Sequence, residues 1–148
     1  MNRTTALAEL VANFADPALL RFVNRRDQTS PQLVQAAFAI EHGTILALAL
    51  SSIFRDGLIV VEHDGEPISL HAACGAQFFD SYGLHTPTEL IAEWADFYQE
   101  PVGNFSLRPS NEGDTEPFEI DLECGQRAAD LRDELFERCG PAIAVLQR

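Results

Sequence analysis

Two side chains near the middle of the chain have the types and spacing of an acid–base pair. His71 lies in the apolar segment 68–74, and Asp80 lies in the next apolar segment, 77–82. We predict that these segments are antiparallel strands of one hairpin, which brings the imidazole and the carboxylate close together. In such a pair the histidine takes a proton from a nucleophile, and the aspartate fixes the tautomer of the imidazole. The structural alternative is that His71 is a hydrogen-bonded core residue and that Asp80 caps a turn.

The nucleophile for this pair has to be a hydroxyl or a thiol from elsewhere in the chain. Thr44 begins the most apolar segment of the sequence, and Cys74 follows His71 by three positions. A hydroxyl requires more activation than a thiol before it can attack a substrate. The candidate catalytic residues are therefore His71, Asp80 and Thr44, with Cys74 as the alternative nucleophile.

The periodicity of the apolar residues predicts helices in the first half of the chain. Helical spacing covers 4–15, a start signal at Asp16-Pro17 opens a short helix, and Ser30-Pro31 opens another that continues to 42. A polar loop is predicted at Arg25-Arg26-Asp27. The helix predicted at about 44–55 is apolar on every side, which is typical of a buried central helix.

The second half is predicted to combine a small sheet with two further helices. Its predicted elements, in order, are strands at 58–61, 68–74 and 77–82, a helix at 88–98 with a capping box at its start, a loop at 101–116, an exposed strand at 118–122, and an amphipathic helix at 126–139 that Gly140-Pro141 ends. Together these elements predict an α+β fold, with the N-terminal helices packed on a small antiparallel sheet.

The central segments resemble small bacterial members of the papain-like (NlpC/transglutaminase-like) cysteine hydrolase superfamily. The resemblance rests on the Ala47-Leu48-Ala49-Leu50 run, on His71 in a strand, and on Asp80 shortly before a glycine and a helix. It implies that His71 is the family's base and Asp80 its orienting acid. The family's nucleophilic cysteine would align with Gly43, and no cysteine precedes Cys74. The resemblance therefore implies a degenerate bacterial or phage member that lacks the thiol.

Length and composition predict one domain, residues 1–148, with a strongly acidic character. The chain has 23 acidic and 10 basic residues, a net charge of −13, and every basic residue except histidine is arginine. This charge repels nucleic acid and acidic lipids, and no apolar run has the length of a membrane helix. Three cysteines without close pairing predict a reducing cytoplasm, and the spacing of histidines and cysteines predicts neither a metal site nor a cofactor.

The leading functional hypothesis is an inactive interaction domain that binds a basic surface of a partner protein, as an inhibitor or immunity-type protein would. Fourteen acids and five arginines fall within 89–148. The partner-binding residues are expected in this acidic part: Glu112, Asp114, Glu116, Glu119, Asp121 and Glu123. Two alternatives are a hydrolase or transferase that uses His71 and Asp80, and a small housekeeping domain that dimerises through the helices around Phe14 and Phe22.

Overall fold

The computed structural model describes residues 1–23 and 30–148, so the loop predicted at Arg25-Arg26-Asp27 lies outside the described residues. The helices are α1 (Arg3–Ala12), α2 (Pro31–Ala36), α3 (Gly43–Phe54), α4 (Pro87–Tyr98) and α5 (Leu122–Leu146). Two 3-10 segments, Asn13–Ala15 and Pro17–Val23, follow α1, and a π-helical segment, Ala37–Glu41, continues α2. Asp16 accepts a hydrogen bond from the backbone N–H of Ala18 at 2.9 Å, as expected for its predicted capping role.

Five strands form one antiparallel sheet. They are β1 (Leu58–His63), β2 (Glu66–Cys74), β3 (Gln77–Asp80), β4 (Gly83–His85) and β5 (Phe105–Pro109). The strand order is β4-β3-β2-β1-β5. The predicted hairpin of β2 and β3 is confirmed, with Ala72 opposite Phe79. The α+β fold predicted from the sequence is therefore the fold of the chain.

The two faces of the sheet are covered by different helices. On one face Leu70 packs with Ala47 of α3, and Ala72 joins a large core built with α1 and α5. On the other face Val61 packs with Leu90 and Trp94 of α4. Because side chains alternate along a strand, neighbouring residues of β2 face different helices.

Two predictions for the segment between α4 and α5 are wrong. The region 101–116 is not all loop, because Phe105–Pro109 forms β5 and pairs with β1 along its length. The region 118–122 is not a strand, because Glu119 has a left-handed backbone with φ of 54° and Leu122 is already helical. Its alternation of apolar and acidic residues instead lets Phe118 and Ile120 pack beside Leu70 while the acids stay exposed.

The last helix also differs from its prediction, because it bends where it was expected to end. Cys139 has non-helical backbone angles, with φ of −144° and ψ of 38°, and Pro141 lies within the helix. Proline has no N–H and its ring crowds the carbonyl four residues earlier, which accounts for the kink. The turn beyond the kink is retained because Ile143 and Leu146 are buried in the main core.

Within the described ranges, no single helix is both long and apolar enough to cross a membrane. The segments Pro31–Glu41 and Gly43–Phe54 reach that length and hydropathy only together, and they are bent by 83° relative to each other.

Phe14 is the residue on which the packing of the main core depends most. It is fully buried and makes edge contacts with Phe38 and Phe79, with ring centroids 5.6 Å and 5.8 Å away. We expect Phe14→Ala to lower the free energy of unfolding by about 3–5 kcal/mol, because it removes a buried ring and leaves a cavity. Denaturant unfolding measures this change.

The matched control is Phe136→Ala, which removes the same side chain from a site that is 41% exposed. It should cost about 1 kcal/mol or less. Equal losses in the two variants would contradict the central place of Phe14 in the core.

Candidate functional site

A pocket opens on the α4 side of the sheet, beside strands β2 and β3 and the π-helical segment Ala37–Glu41. Its volume is about 290 Å³, which suits one long side chain better than a large ligand. The pocket is lined by Ala39, Ile40, His71, Asp80, Tyr82, Glu93, Trp94, Asp96 and Phe97. Three of these residues carry carboxylates and three carry aromatic rings, and no arginine from the described part of the chain lines the pocket. It is therefore both acidic and aromatic.

His71 lies at the base of this pocket with both ring nitrogens engaged. Its Nδ1 lies 3.1 Å from the carbonyl oxygen of Phe79, so Nδ1 carries the proton and donates it. Its Nε2 lies 2.8 Å from the Ser69 hydroxyl and accepts from it. Burial lowers the pKa of His71 below its ordinary value, despite the opposing hydrogen bond to Phe79. The imidazole is therefore neutral, and the structural alternative considered for His71, a hydrogen-bonded core residue, describes its contacts.

Asp80 caps a turn and pairs with a histidine other than His71. Its Oδ1 accepts from the backbone N–H of Tyr82 at 2.8 Å and from Nε2 of His85 at 2.8 Å. Burial favours the neutral carboxyl, but the bond from His85 and the charge of its imidazolium outweigh burial and lower the pKa of Asp80. The bond to Asp80 raises the pKa of His85 in turn. The aspartate and the protonated form of His85 therefore stabilise each other.

Glu93 of α4 brings a second carboxyl group to this ion pair. Its Oε2 is buried, has no hydrogen-bond partner among the described residues, and lies 3.7 Å from Nε2 of His85. Burial, the negative charge of Asp80 and a hydrogen bond between the two carboxyl groups raise the pKa of Glu93 to about 7. Near neutral pH, Glu93 is therefore about half protonated, and its charge responds readily to whatever enters the pocket.

Exposed apolar side chains form the rim of the pocket. Tyr82, Phe97 and Ile40 are 46%, 54% and 44% exposed, whereas Trp94 is buried behind them with its ring edge toward Phe97. Asp96 is exposed at the same rim. Exposed aromatic rings beside carboxylates are typical of protein-binding surfaces.

Two local interactions hold the walls of the pocket in place. Gln35 of α2 and Ser81 of the β3–β4 turn exchange side-chain to backbone hydrogen bonds of 3.0 Å and 2.6 Å, which brings the π-helical segment to the sheet edge. The predicted capping box of α4 is confirmed, because Thr86 and Glu89 bond to each other's backbone N–H groups. It fixes where α4 begins and therefore where Glu93 lies.

The structure brings His71 and Asp80 to the same pocket but places Thr44 elsewhere. Thr44 lies at the start of α3, which covers the opposite face of the sheet, and it lines a separate groove with Glu119 and Asp121. Cys74 is buried in the core on the α3 side. The His71 and Asp80 side chains therefore share a pocket without either proposed nucleophile.

The predicted acidic surface is present with one exception. Asp114 is only 3% exposed and makes a bidentate ion pair with Arg108, at 2.6 Å and 2.9 Å. That pair lowers the pKa of Asp114 to about 2. The other five residues of the predicted set are exposed: Glu112, Glu116, Glu119, Asp121 and Glu123. Asp114 therefore links the segment after β5 to that strand through its ion pair with Arg108, and its carboxylate is not available to a partner.

Two groups of acidic and histidine side chains in the described ranges have ligand-type atoms within 4.8 Å of one another. They are Asp80, His85 and Glu93, and His63, Asp64 and Glu100. Spacing along the chain did not indicate either group. In each, a histidine Nε2 already bonds to a carboxylate, at 2.8 Å in the first and 2.9 Å in the second. We therefore describe both as hydrogen-bonded clusters.

Comparisons of the chain with protein-family models, with curated proteins and with solved structures found no match. The function has to be argued from the residues of the pocket.

Sequence reasoning missed most of these residues. The sequence pattern did not single out His85, Glu93 or Phe97, although Phe97 is more than half exposed at the rim. One signal was available, since Glu93, Asp96 and Phe97 are spaced by three and four positions and so share a helix face.

We expect Glu93→Gln to stabilise the protein at alkaline pH and to change little at acid pH. The pKa of Glu93 is raised from 4.5 to about 7 in the folded state. The raised pKa means that the folded state favours the protonated carboxyl group of Glu93. The resulting contribution to the free energy of unfolding is complete below the ordinary pKa and is lost as the pH rises through about 7. The gain should be on the order of 1 kcal/mol at about pH 8, because solvent screens a half-exposed group.

Denaturant unfolding at about pH 5 and about pH 8 measures this difference. Glu116→Gln, on the exposed acidic loop, is the control for loss of one negative charge. If Glu93→Gln shifted stability equally at both pH values, the raised pKa would be wrong.

Proposed function

We propose that this chain is a catalytically inactive protein-interaction domain that binds a basic segment of a partner protein in the cytoplasm, as an inhibitor or immunity-type protein does. The observation that carries the proposal is the pocket itself. Carboxylates and exposed aromatic rings meet in a cavity of side-chain size, and no arginine compensates the acids among the described residues that line it. A basic side chain from a partner supplies the missing charge.

The chemistry of the rim favours a protein ligand. Phe97 and Tyr82 offer apolar surface that binding would remove from water, and Asp96 offers a charge at the same edge. Apolar burial contributes affinity, while the charges select a basic partner and speed its approach. Aromatic anchors at the centre of a patch carry most of the binding energy in such interfaces.

A second acidic groove lies on the other side of the sheet, where Thr44 begins α3. Glu41, Glu119, Asp121 and Glu123 line it. Leu122, between two of these acids, is 94% exposed. This groove is separate from the pocket, and binding of a basic side chain in the pocket does not require it.

The contacts of His71 and Thr44 support a binding role over a hydrolytic one. Nε2, the nitrogen that a base would use, accepts from Ser69, which is only 7% exposed. Thr44 lies beyond the sheet from the imidazole. The papain-like resemblance stays a prediction, and the binding role does not require it. Phe14, named for a dimer interface, is fully buried and so is not available to one.

Selection from a displayed library of random peptides tests the proposed function. We expect the selected peptides to carry arginine or lysine next to apolar residues, and their binding to weaken as salt is raised. Phe97→Ala and Asp96→Asn should each weaken binding about tenfold or more, because they remove an anchor and a charge at the rim.

The matched controls remove the same chemical groups at a distance from the pocket. Phe136→Ala removes another exposed ring, and Glu9→Gln removes another exposed charge. Both should bind the selected peptides like the wild type. Peptides without basic residues, the absence of any binder, or equal losses in rim and control variants would contradict the proposal.

A further inference from the structure

The inner wall of the pocket contains two carboxyl groups that lie close together. Asp80 on β3 is 4% exposed, and a carboxyl oxygen of Glu93 on α4 lies within 4.8 Å of one of its oxygens. His85 donates to Asp80, and its Nε2 lies 3.7 Å from Glu93 Oε2, a buried atom with no hydrogen-bond partner in the described ranges. Such an oxygen is costly to leave unpaired, so this wall is poised to accept a donor.

We propose that the group entering the pocket is the guanidinium of a partner's arginine, which bridges Asp80 and Glu93 and displaces the proton from Glu93 into solvent. This inference rests on the proposed function, because it assumes that a basic partner uses the pocket. It adds the identity of the side chain and a dependence on pH.

The balance of charge explains the exchange. When Asp80 is negative, His85 is protonated and Glu93 is protonated, the charges of the three groups in the empty pocket sum to zero. A guanidinium adds one positive charge, and the loss of one proton from Glu93 restores the balance. The cation replaces the proton that lets two neighbouring carboxyl groups coexist.

The shape of the pocket favours guanidinium over ammonium. The two carboxyl groups stand on different elements, and a planar fork with several N–H donors can bond to both at once. Trp94 and Tyr82 offer ring surface against which a flat cation can lie. An ammonium group is a compact point charge and makes poorer use of both features.

Other titratable groups surround Glu93. Burial lowers the pKa of His71, and the bond to Asp80 raises that of His85. The backbone bond from Thr86 lowers the pKa of Glu89, and burial raises that of Tyr82. Asp96 lines the pocket at its rim. Glu93 is the group whose pKa is raised to about 7, within the neutral range.

The test titrates the protein with N-acetyl-arginine amide and, in parallel, with N-acetyl-lysine amide. Trp94 is the only tryptophan of the chain and lines the pocket, so its fluorescence and its indole N–H resonance report binding directly. We expect the arginine amide to bind more tightly than the lysine amide. As the pH increases toward about 7, the affinity for the arginine amide should increase by up to about tenfold per pH unit. Above about 7 it should level off, because one proton is released on binding.

Glu93→Gln should remove the pH dependence, because the amide cannot ionise, and should weaken binding of the arginine amide mainly above about pH 7. Glu9→Gln loses the same charge on α1, away from the pocket, and should keep the wild-type profile. Equal affinity for the two amides, affinity independent of pH in the wild type, or an unchanged slope in Glu93→Gln would overturn the inference.

The proposed binding function and the arginine-for-proton exchange can be contradicted separately. If selected basic peptides bind through Phe97 and Asp96 but show no pH dependence, the arginine-for-proton exchange is wrong and the binding role stands. If neither the peptides nor the arginine amide binds, both are wrong.

Discussion

The fold is organised around helix α3, which has no polar face and must be covered on every side. Leu46, Ala49 and Leu50 are all buried, and the sheet covers one side of the helix while α5 packs against another. Leaving such a helix exposed would forfeit the apolar burial that offsets the conformational entropy of folding. This requirement places most of the helical mass on one face of the sheet.

The opposite face is left to α4, a helix of twelve residues that has to serve a five-stranded sheet. On its buried side, Leu90 and Trp94 pack against β1 and β5. A different side of the helix contacts the sheet edge formed by β3 and β4. The pocket is the space left there. Because a turn and a π-helical segment close that space, polar groups from four elements converge on a small volume.

Burial within this volume sets the electrostatics. Asp80 is ionised because His85 donates to it and shares its surroundings, whereas Glu93 holds a proton because it meets the same negative charge without a hydrogen-bond donor of its own. Two neighbouring carboxyl groups therefore have pKa values shifted in opposite directions: burial and the charge of Asp80 raise that of Glu93, whereas the bond from His85 outweighs burial at Asp80.

The sequence by itself determined the features that depend on neighbours along the chain: the buried central helix, the capping box of Thr86 and Glu89, the β2–β3 hairpin and the net charge. It misjudged 101–122, where Phe105–Pro109 forms a strand and the alternating apolar and acidic residues of 118–122 do not. Only the tertiary structure decided that His71 bonds to Ser69 and Phe79, that Asp80 pairs with His85, and that Phe97 faces solvent. Periodicity shows which residues share a face, whereas partners and exposure depend on packing between segments distant in the chain.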